Sequence, residues 1–327
     1  MEFGKVMMTD NSFMVQSDRR PSIEGVSVPV PEFVNSREAM ERAGLNWQVE
    51  TRPIFLADGK AIPEYRSVVR TDTGEPLGIV KQTYKVLQNE ECFDICDEIA
   101  GEGGAKFEAA GSLNGGRTVF AVMRMPEKIV LPGDDVVERK LLFLTSHDGS
   151  SMTRMIPFTW RLFCANQFGG IIKGRKDGIA VRHTRNAQQR LRQASEMLGL
   201  ANNYFRDFAQ AAQVLQRTPF LTKDMEEFAK QIFPAPNESA VHTRTKNNRE
   251  LLIRLFEEGA GQKGNAKAYG TAWGAFHAVT EYVDHYRNTR SKDLDMREEL
   301  RFKSAWFESG AELKQKAFDL LMKKVMN

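Results

Sequence analysis

The basic residues between Arg154 and Arg192 are the first feature of this chain that could carry out chemistry. This segment holds nine lysines and arginines and one acidic residue, whereas the rest of the chain holds 37 basic and 42 acidic residues. A near-neutral protein has therefore concentrated its positive charge in one stretch. Such a concentration attracts polyanions, which an evenly spread net charge of +3 would not do.

The cations of this segment occur in two local patterns. Residues 171–178, with the sequence IIKGRKDG, alternate apolar and cationic types beside glycines, which is typical of an exposed hairpin or loop tip. The arginines from Arg182 onward fall at the start of a long helical pattern, where positive charge opposes the helix dipole and a bound anion would remove that penalty. Trp160 and Phe168 lie among the cations and could stack on bases.

These features favour nucleic-acid binding over the alternative, a solvated charged surface balanced by acids elsewhere. We expect phosphate contacts with little sequence preference. Arg161 and Asn166 would lie on the floor of a groove or, alternatively, in a buried hydrogen-bond network. The predicted nucleic-acid-binding residues are Arg154, Trp160, Arg161, Asn166, Lys173, Arg175, Lys176, Arg182, Arg185 and Arg190.

Motifs for catalysis are mostly absent from the sequence. It contains no phosphate-binding GxxxxGK[ST] run, no GxGxxG after a strand, no HExxH and no CxxC pair. Ser146, His147 and Asp148 are residue types of a hydrolase triad, but adjacent residues cannot fold onto one another, so a turn is predicted there. We therefore predict no catalytic residue, no metal and no cofactor, and leave open whether the chain is an enzyme.

Two pairs with helical spacing could ligate a metal. Glu281 and His285, with Asp284 between them, could bind a metal or pair with each other, and a structural helix pair is favoured. Cys92 and Cys96 share one helix face without further ligands nearby, which predicts buried thiols. Sparse cysteines, no apolar run long enough to span a bilayer and no signal-peptide pattern indicate a cytoplasmic protein without membrane contact.

The strands and helices that must position these residues are themselves predicted from the sequence, and their order indicates an α+β protein. Residues 1–43 form a polar, partly disordered leader with a short helix at 36–43 capped by Ser36, residues 44–180 a β-rich mixed domain, and residues 181–327 an all-helical domain. Residues 160–168 could be helix or strand, and helix is slightly favoured. Predicted strands cover 45–55, 65–70, 77–84, 107–113, 118–126, 141–146 and 152–158. Predicted helices cover 89–99, 182–215, a segment from 222, and 247–259, 272–287 and 305–326.

Several short runs occur in the order of a known family. They are 45–49 (LNWQV), 78–84 (GIVKQTY), 146–150 (SHDGS), 161–166 (RLFCAN), 270–273 (GTAW) and 278–285 (AVTEYVDH). Over residues 45–321 the chain thereby resembles the phage/plasmid-like proteins, a bacterial mobile-element family known as domain of unknown function 932. His277 departs from the pattern, which has Asn at that position. The resemblance implies a protein of prophages, plasmids or integrating elements.

The order of hairpin, further strand and helix is also similar to the core of the single-strand annealing superfamily that includes RecT, Redβ and the Rad annealing proteins. That likeness implies homo-oligomers that hold single-stranded DNA in a positive groove and hydrolyse no nucleotide. Our leading hypothesis is therefore a mobile-element protein for strand annealing or recombination. The alternatives are an anti-defence protein that binds a host factor or phage protein, and a metal-dependent nuclease.

Overall fold

The architecture is α+β, as predicted. The computed structural model describes residues 14–17, 27–30, 35–161, 167–169, 178–181, 187–258, 268–287, 300, 304–305 and 308–326. Strands dominate the first half of the described chain and helices the second half. The confirmed fold class follows from the hydrophobic patterns, which alternate in the first half and follow a helical period in the second.

The larger sheet has eight strands. Seven of them follow the order β10-β9-β8-β7-β6-β1-β2, and β11 pairs with β9 beside this path. The strands β1 and β2 lie in the polar leader, to which the sequence pattern assigned no strand; they pair parallel with each other, and β1 pairs antiparallel with β6. The strands are β1 (Met14–Ser17), β2 (Ser27–Val30), β6 (Lys106–Leu113), β7 (Thr118–Leu131), β8 (Asp135–Ser146), β9 (Arg154–Arg161), β10 (Gln167–Gly169) and β11 (Ile179–Ala180).

The smaller sheet is an antiparallel meander, in which the predicted hairpin of β3 (Val49–Phe55) and β4 (Ala61–Arg70) is joined by the predicted further strand, β5 (Pro76–Lys81). The first turn is closed by Asp58, whose Oδ1 accepts a hydrogen bond from the Lys60 N–H at 3.0 Å. Asp favours such turns because its side chain accepts a hydrogen bond from the nearby backbone, and Gly favours them because it adopts positive φ. Sequence and structure therefore agree on this meander.

Two helices lie beside the strands, α1 (Ser36–Arg42) and α2 (Asn89–Gly103). Our prediction that Ser36 caps α1 was wrong: Asn35 is the cap, and its side chain accepts from the Glu38 N–H at 2.9 Å. The hydroxyl of Ser36 instead donates to Asp97 of α2 at 2.5 Å. Ser36 thus ties α1 to α2, and the side chain of the preceding residue satisfies one of the free N–H groups at the start of the helix.

The helical half contains five α-helices within the described residues. They are α3 (Ala187–Arg217), α4 (Thr222–Ile232), α5 (Thr243–Glu258), α6 (Ala272–Glu281) and α7 (Ser309–Met326). Every residue of α6 is buried, and α6 packs against both α5 and α7. A helix that is buried on all sides forms the centre of a helical core.

The structure corrects the prediction for residues 160–168, where a helix was slightly favoured. Trp160 and Arg161 are the last residues of β9, and β10 begins at Gln167, so the described ends of this stretch are strands. The register pairs Trp160 with Gln167. Aromatic and β-branched residues suit a buried sheet as well as a helix, and pairing with neighbouring strands decides between them.

Contacts divide the chain into two compact units that are discontinuous in sequence. The first, which we call the strand-rich unit, comprises Met1–Pro126, Lys140–Pro157 and Ile172–Ala201. The second, the helical unit, comprises Glu127–Arg139, Phe158–Ile171 and Asn202–Asn327. The strands β7, β8 and β9 and the helix α3 therefore contribute residues to both units.

Candidate nucleic-acid interface

The predicted basic segment is described only in part. Side chains are described for Arg154, Trp160 and Arg190, and Arg161 is described as the final residue of β9 through its backbone alone. The other predicted binding residues lie outside the described residues: Asn166, Lys173, Arg175, Lys176, Arg182 and Arg185.

Trp160 is an interior residue of the folded chain. Only 5% of it is exposed. A ring covered to this degree cannot stack on a base in the described conformation. The stacking role of Trp160 therefore stays a prediction that would require its ring to become exposed.

Arg190 lies close to acidic residues of α2. Its Nε is 3.4 Å from Oε1 of Glu98. Burial raises the pKa of Asp94, and the charge of Arg190 opposes that rise. Part of the positive charge of Arg190 is thus offset within the strand-rich unit, which leaves less of it for a bound phosphate. Arg154 is partly buried on β9.

The ends of the predicted cationic loop are tied to β9. The strand β10, which ends at Gly169, pairs antiparallel with β9, and so does β11, which begins at Ile179. Gly178 has φ +83°, and a Cβ atom there would lie 2.7 Å from the carbonyl oxygen of Met155, so a larger residue would push β11 away from β9. The described residues on either side of 170–177, Gly169 and Ile179, thus both lie on strands that pair with β9.

The SHDG run forms part of a buried scaffold in the strand-rich unit. The side-chain N–H of Asn89 donates to the Leu45 carbonyl at 2.8 Å, so its Oδ1 is free to accept from His147 Nε2, also at 2.8 Å. The His147 ring also packs edge-on against Trp47 at 5.3 Å. Burial lowers the pKa of His147 to about 4, against a smaller opposing effect of Asp148. His147 is therefore a neutral structural residue at neutral pH.

The surroundings of this scaffold exclude a hydrolase triad. The Ser146 hydroxyl donates to the Ser151 carbonyl at 2.8 Å, and it accepts from the N–H of the same residue at 2.9 Å. A Cβ atom on Gly78 would lie 2.6 Å from the Asp148 Cα, so the turn packs directly on β5. The predicted turn is confirmed, and no side chain of the run is positioned as a nucleophile next to a base.

Burial also explains the cysteine pair. Cys92 and Cys96 are both buried on α2 as free thiols. Burial raises the pKa of Cys92 to about 12 and that of Cys96 well above its usual value. Such thiols are unreactive and behave as small apolar side chains.

The second buried cluster lies in the helical unit around α6. Trp273 Nε1 donates to Asp135 at 2.9 Å, and the indole packs edge-on against His277 at 4.3 Å. Asp284 is bonded to Lys314 at 2.5 Å. Glu281 is buried while His285 is exposed. Across the described residues, no three His, Cys, Asp or Glu side chains are grouped as a metal site would require.

A groove in the helical unit, here called the α5 groove, was not predicted from the sequence. It has a volume of about 870 Å³ and is lined by the first three turns of α5 and by two tyrosines that follow α6. Its lining includes His242, Arg244, Asn247, Glu250, Arg254, Tyr282 and Tyr286. Cations, amides and aromatic rings in one concave surface can bind an anion with an attached ring system.

A π turn shapes the far wall of the α5 groove. Residues Tyr282–Tyr286 continue α6 with wider turns, and the Arg287 N–H donates to the Tyr282 carbonyl at 2.8 Å, five residues back. Turns of this kind are frequently found at functional sites. The sequence signal for this groove is the cluster of four lysines and arginines in α5, which lies outside the basic segment 154–192.

The comparisons with known proteins assign the chain to one family. Not one described helix combines the length and the apolar composition needed to cross a bilayer. No curated protein and no solved structure matches the chain. The family model for a domain of unknown function, DUF932, matches residues 76–306. This match covers more than half of the chain, including the SHDG run and the whole of α6, and the chain therefore belongs to the DUF932 family.

Proposed function

We propose that this protein binds single-stranded DNA through its basic segment, residues 154–192. The observation that carries the proposal is the ratio of nine basic residues to one acidic residue in that segment, in a chain that is otherwise slightly acidic. Lysine and arginine side chains neutralise phosphates and release condensed counterions, which supplies most of the affinity for an unspecific strand.

The backbone around the predicted loop supports this proposal. Gly169 and Ile179, on either side of residues 170–177, both belong to strands that pair with β9. Lys173, Arg175 and Lys176 thus fall in sequence between two strands that both pair with β9. Cations on a short loop held by a sheet lose less conformational freedom on binding than cations on a free tail.

The biological setting is part of the proposal. The resemblance to phage/plasmid-like proteins suggests a mobile-element protein in a bacterial cytoplasm. The likeness to single-strand annealing proteins suggests a homo-oligomer that exposes the bases of a bound strand for annealing or recombination, without nucleotide hydrolysis. In this setting the protein needs phosphate contacts and little base readout.

Salt-dependent binding tests the proposal. We expect the full chain to bind a fluorescent oligothymidylate at low ionic strength, and log K to fall with log salt at a slope of about −4 to −5 if about six cations contact phosphates. Solution mass measured with and without the oligonucleotide would report assembly on DNA. A chain that fails to bind the strand at low salt would rule out the proposed function.

A further inference from the structure

The α5 groove presents one face of a helix. Arg244, Asn247, Leu251 and Arg254 line it with spacings of three, four and three residues, so their side chains lie on one side of α5. Arg244 and Arg254 are ten positions apart, which corresponds to about 15 Å along the helix axis. Two cations at this separation can contact different phosphates of one strand.

The two arginines keep their charge available. Both are exposed, and neither forms an ion pair with any carboxylate of the described residues. The other two cations of α5 are already paired: Arg249 forms two hydrogen bonds of 2.7 Å with Glu238, and Lys246 lies 3.9 Å from Glu250. The acid in the groove lining, Glu250, thus has a cation beside it, and the groove remains positive.

The two tyrosines of the groove differ in exposure. Tyr282 is buried, packs edge-on against Phe233 at 5.2 Å, and has a pKa raised by burial, which the nearby Arg287 and Arg244 oppose. Tyr286 is 48% exposed at the end of the π turn. A fixed inner ring with a neighbouring exposed ring offers a surface on which a base can stack.

We propose that the α5 groove is a subsite for single-stranded DNA, in which Arg244 and Arg254 contact phosphates and Tyr286 stacks on a base. This inference rests on the proposed function and adds a second contact region outside residues 154–192. A simple anion could also bind the two arginines through phosphate contacts. The exposed ring beside them favours a nucleotide, because a base can stack on the ring.

Charge reversal tests the phosphate contacts. For Arg244→Glu/Arg254→Glu we expect oligothymidylate binding about tenfold or more weaker at low salt, and a salt slope smaller in magnitude by about 1 to 2. The matched control is Arg217→Glu/Lys223→Glu, which changes net charge equally at exposed positions of α3 and α4 and leaves both the two arginines and the rest of the groove lining in place. Equal affinities and slopes for the two double variants would overturn the subsite, provided that the thermal midpoints of both match the wild type.

An abasic strand tests the stacking contact. Tyr286→Ala should weaken binding to oligothymidylate by at least about fivefold, but should leave binding to an abasic strand of equal length and charge unchanged, and Tyr286→Phe should bind like the wild type. An equal loss on both strands would overturn the stacking role.

Failure of the subsite can be told apart from failure of the proposed function. Only the subsite fails if the wild type binds, charge reversal at Lys173, Arg175 and Lys176 abolishes binding, and the groove variants behave like their control. If the wild type does not bind, the proposed function fails with it.

Discussion

The Nζ atom of Lys314 lies 2.5 Å from Oδ1 of Asp284, and both side chains are almost completely buried. Asp284 belongs to the AVTEYVDH run, and it lies in the π turn that follows the central helix α6. Burial lowers the pKa of Lys314, and the charge of Asp284 and its hydrogen bond oppose that effect. The acid that could have been a metal ligand is therefore the partner of a lysine.

Removal of the lysine should destabilise the fold. We expect Lys314→Met to lower the free energy of unfolding by about 3 to 5 kcal/mol, because it leaves a buried carboxylate without its cation. Lys324→Met is a matched control: its ion pair with Asp224 has the same N–O distance but is half-exposed, so the expected loss is about 1 kcal/mol or less. Urea unfolding measures both. Equal losses would contradict the structural role of the buried pair.

His147 should make the stability of the strand-rich unit depend on pH. Its pKa of about 4 in the folded state lies below its ordinary value of 6.5, so the unfolded chain binds the proton more readily. Stability is then full above about pH 6.5 and falls as the pH drops towards 4, by about 2 kcal/mol between about pH 7 and pH 5. Urea midpoints at the two pH values measure this loss.

The comparison with two glutamine variants isolates this effect. In His147→Gln the titrating group is gone, and we expect a smaller loss of stability between the two pH values. His242→Gln, which removes an exposed histidine, should keep the pH dependence of the wild type. A His147→Gln variant with an unchanged pH dependence would show that other groups titrate on unfolding.

Gly78 should tolerate no side chain. Its missing Cβ would lie 2.6 Å from the backbone of Asp148, so Gly78→Ala must displace either β5 or the SHDG turn. We expect a loss of about 1 to 3 kcal/mol in the free energy of unfolding, as for other overpacked sites. Gly199→Ala is the control: this glycine lies within α3 with open space around it, and alanine should stabilise the helix by about 0.5 to 1 kcal/mol. Thermal or urea unfolding would reveal the opposite signs.

Local patterns predicted the fold class and most elements, because period and turn chemistry are local properties. The π turn was missed because the hydrogen bond from Arg287 to Tyr282 leaves no mark on an apolar spacing that fits an α-helix equally well. The buried pair of Lys140 and Glu108, 2.5 Å apart, was missed because the partners lie on different strands, and charged residues in strands usually face solvent.

The same limit applies to the candidate site. The predicted segment was found from charge density, which is visible along the sequence. The α5 groove depends on which cations are already paired, and only the structure shows that Arg249 is bonded to Glu238 while Arg244 and Arg254 have no such partner among the described residues. Charge counts alone cannot separate these cases.

Charge reversal in the predicted loop is the direct test of the basic segment. For Lys173→Glu/Arg175→Glu/Lys176→Glu we expect binding to weaken similarly for strands of different sequence, because phosphate contacts carry no base preference, and the salt slope to shrink in magnitude by about 2. Lys60→Glu/Lys81→Glu/Lys85→Glu changes the net charge equally at exposed sites near the smaller sheet. If both triple variants bind oligothymidylate as the wild type does, the loop takes no part in the interface. A loss limited to one base composition would instead indicate base readout, which this segment is not expected to provide.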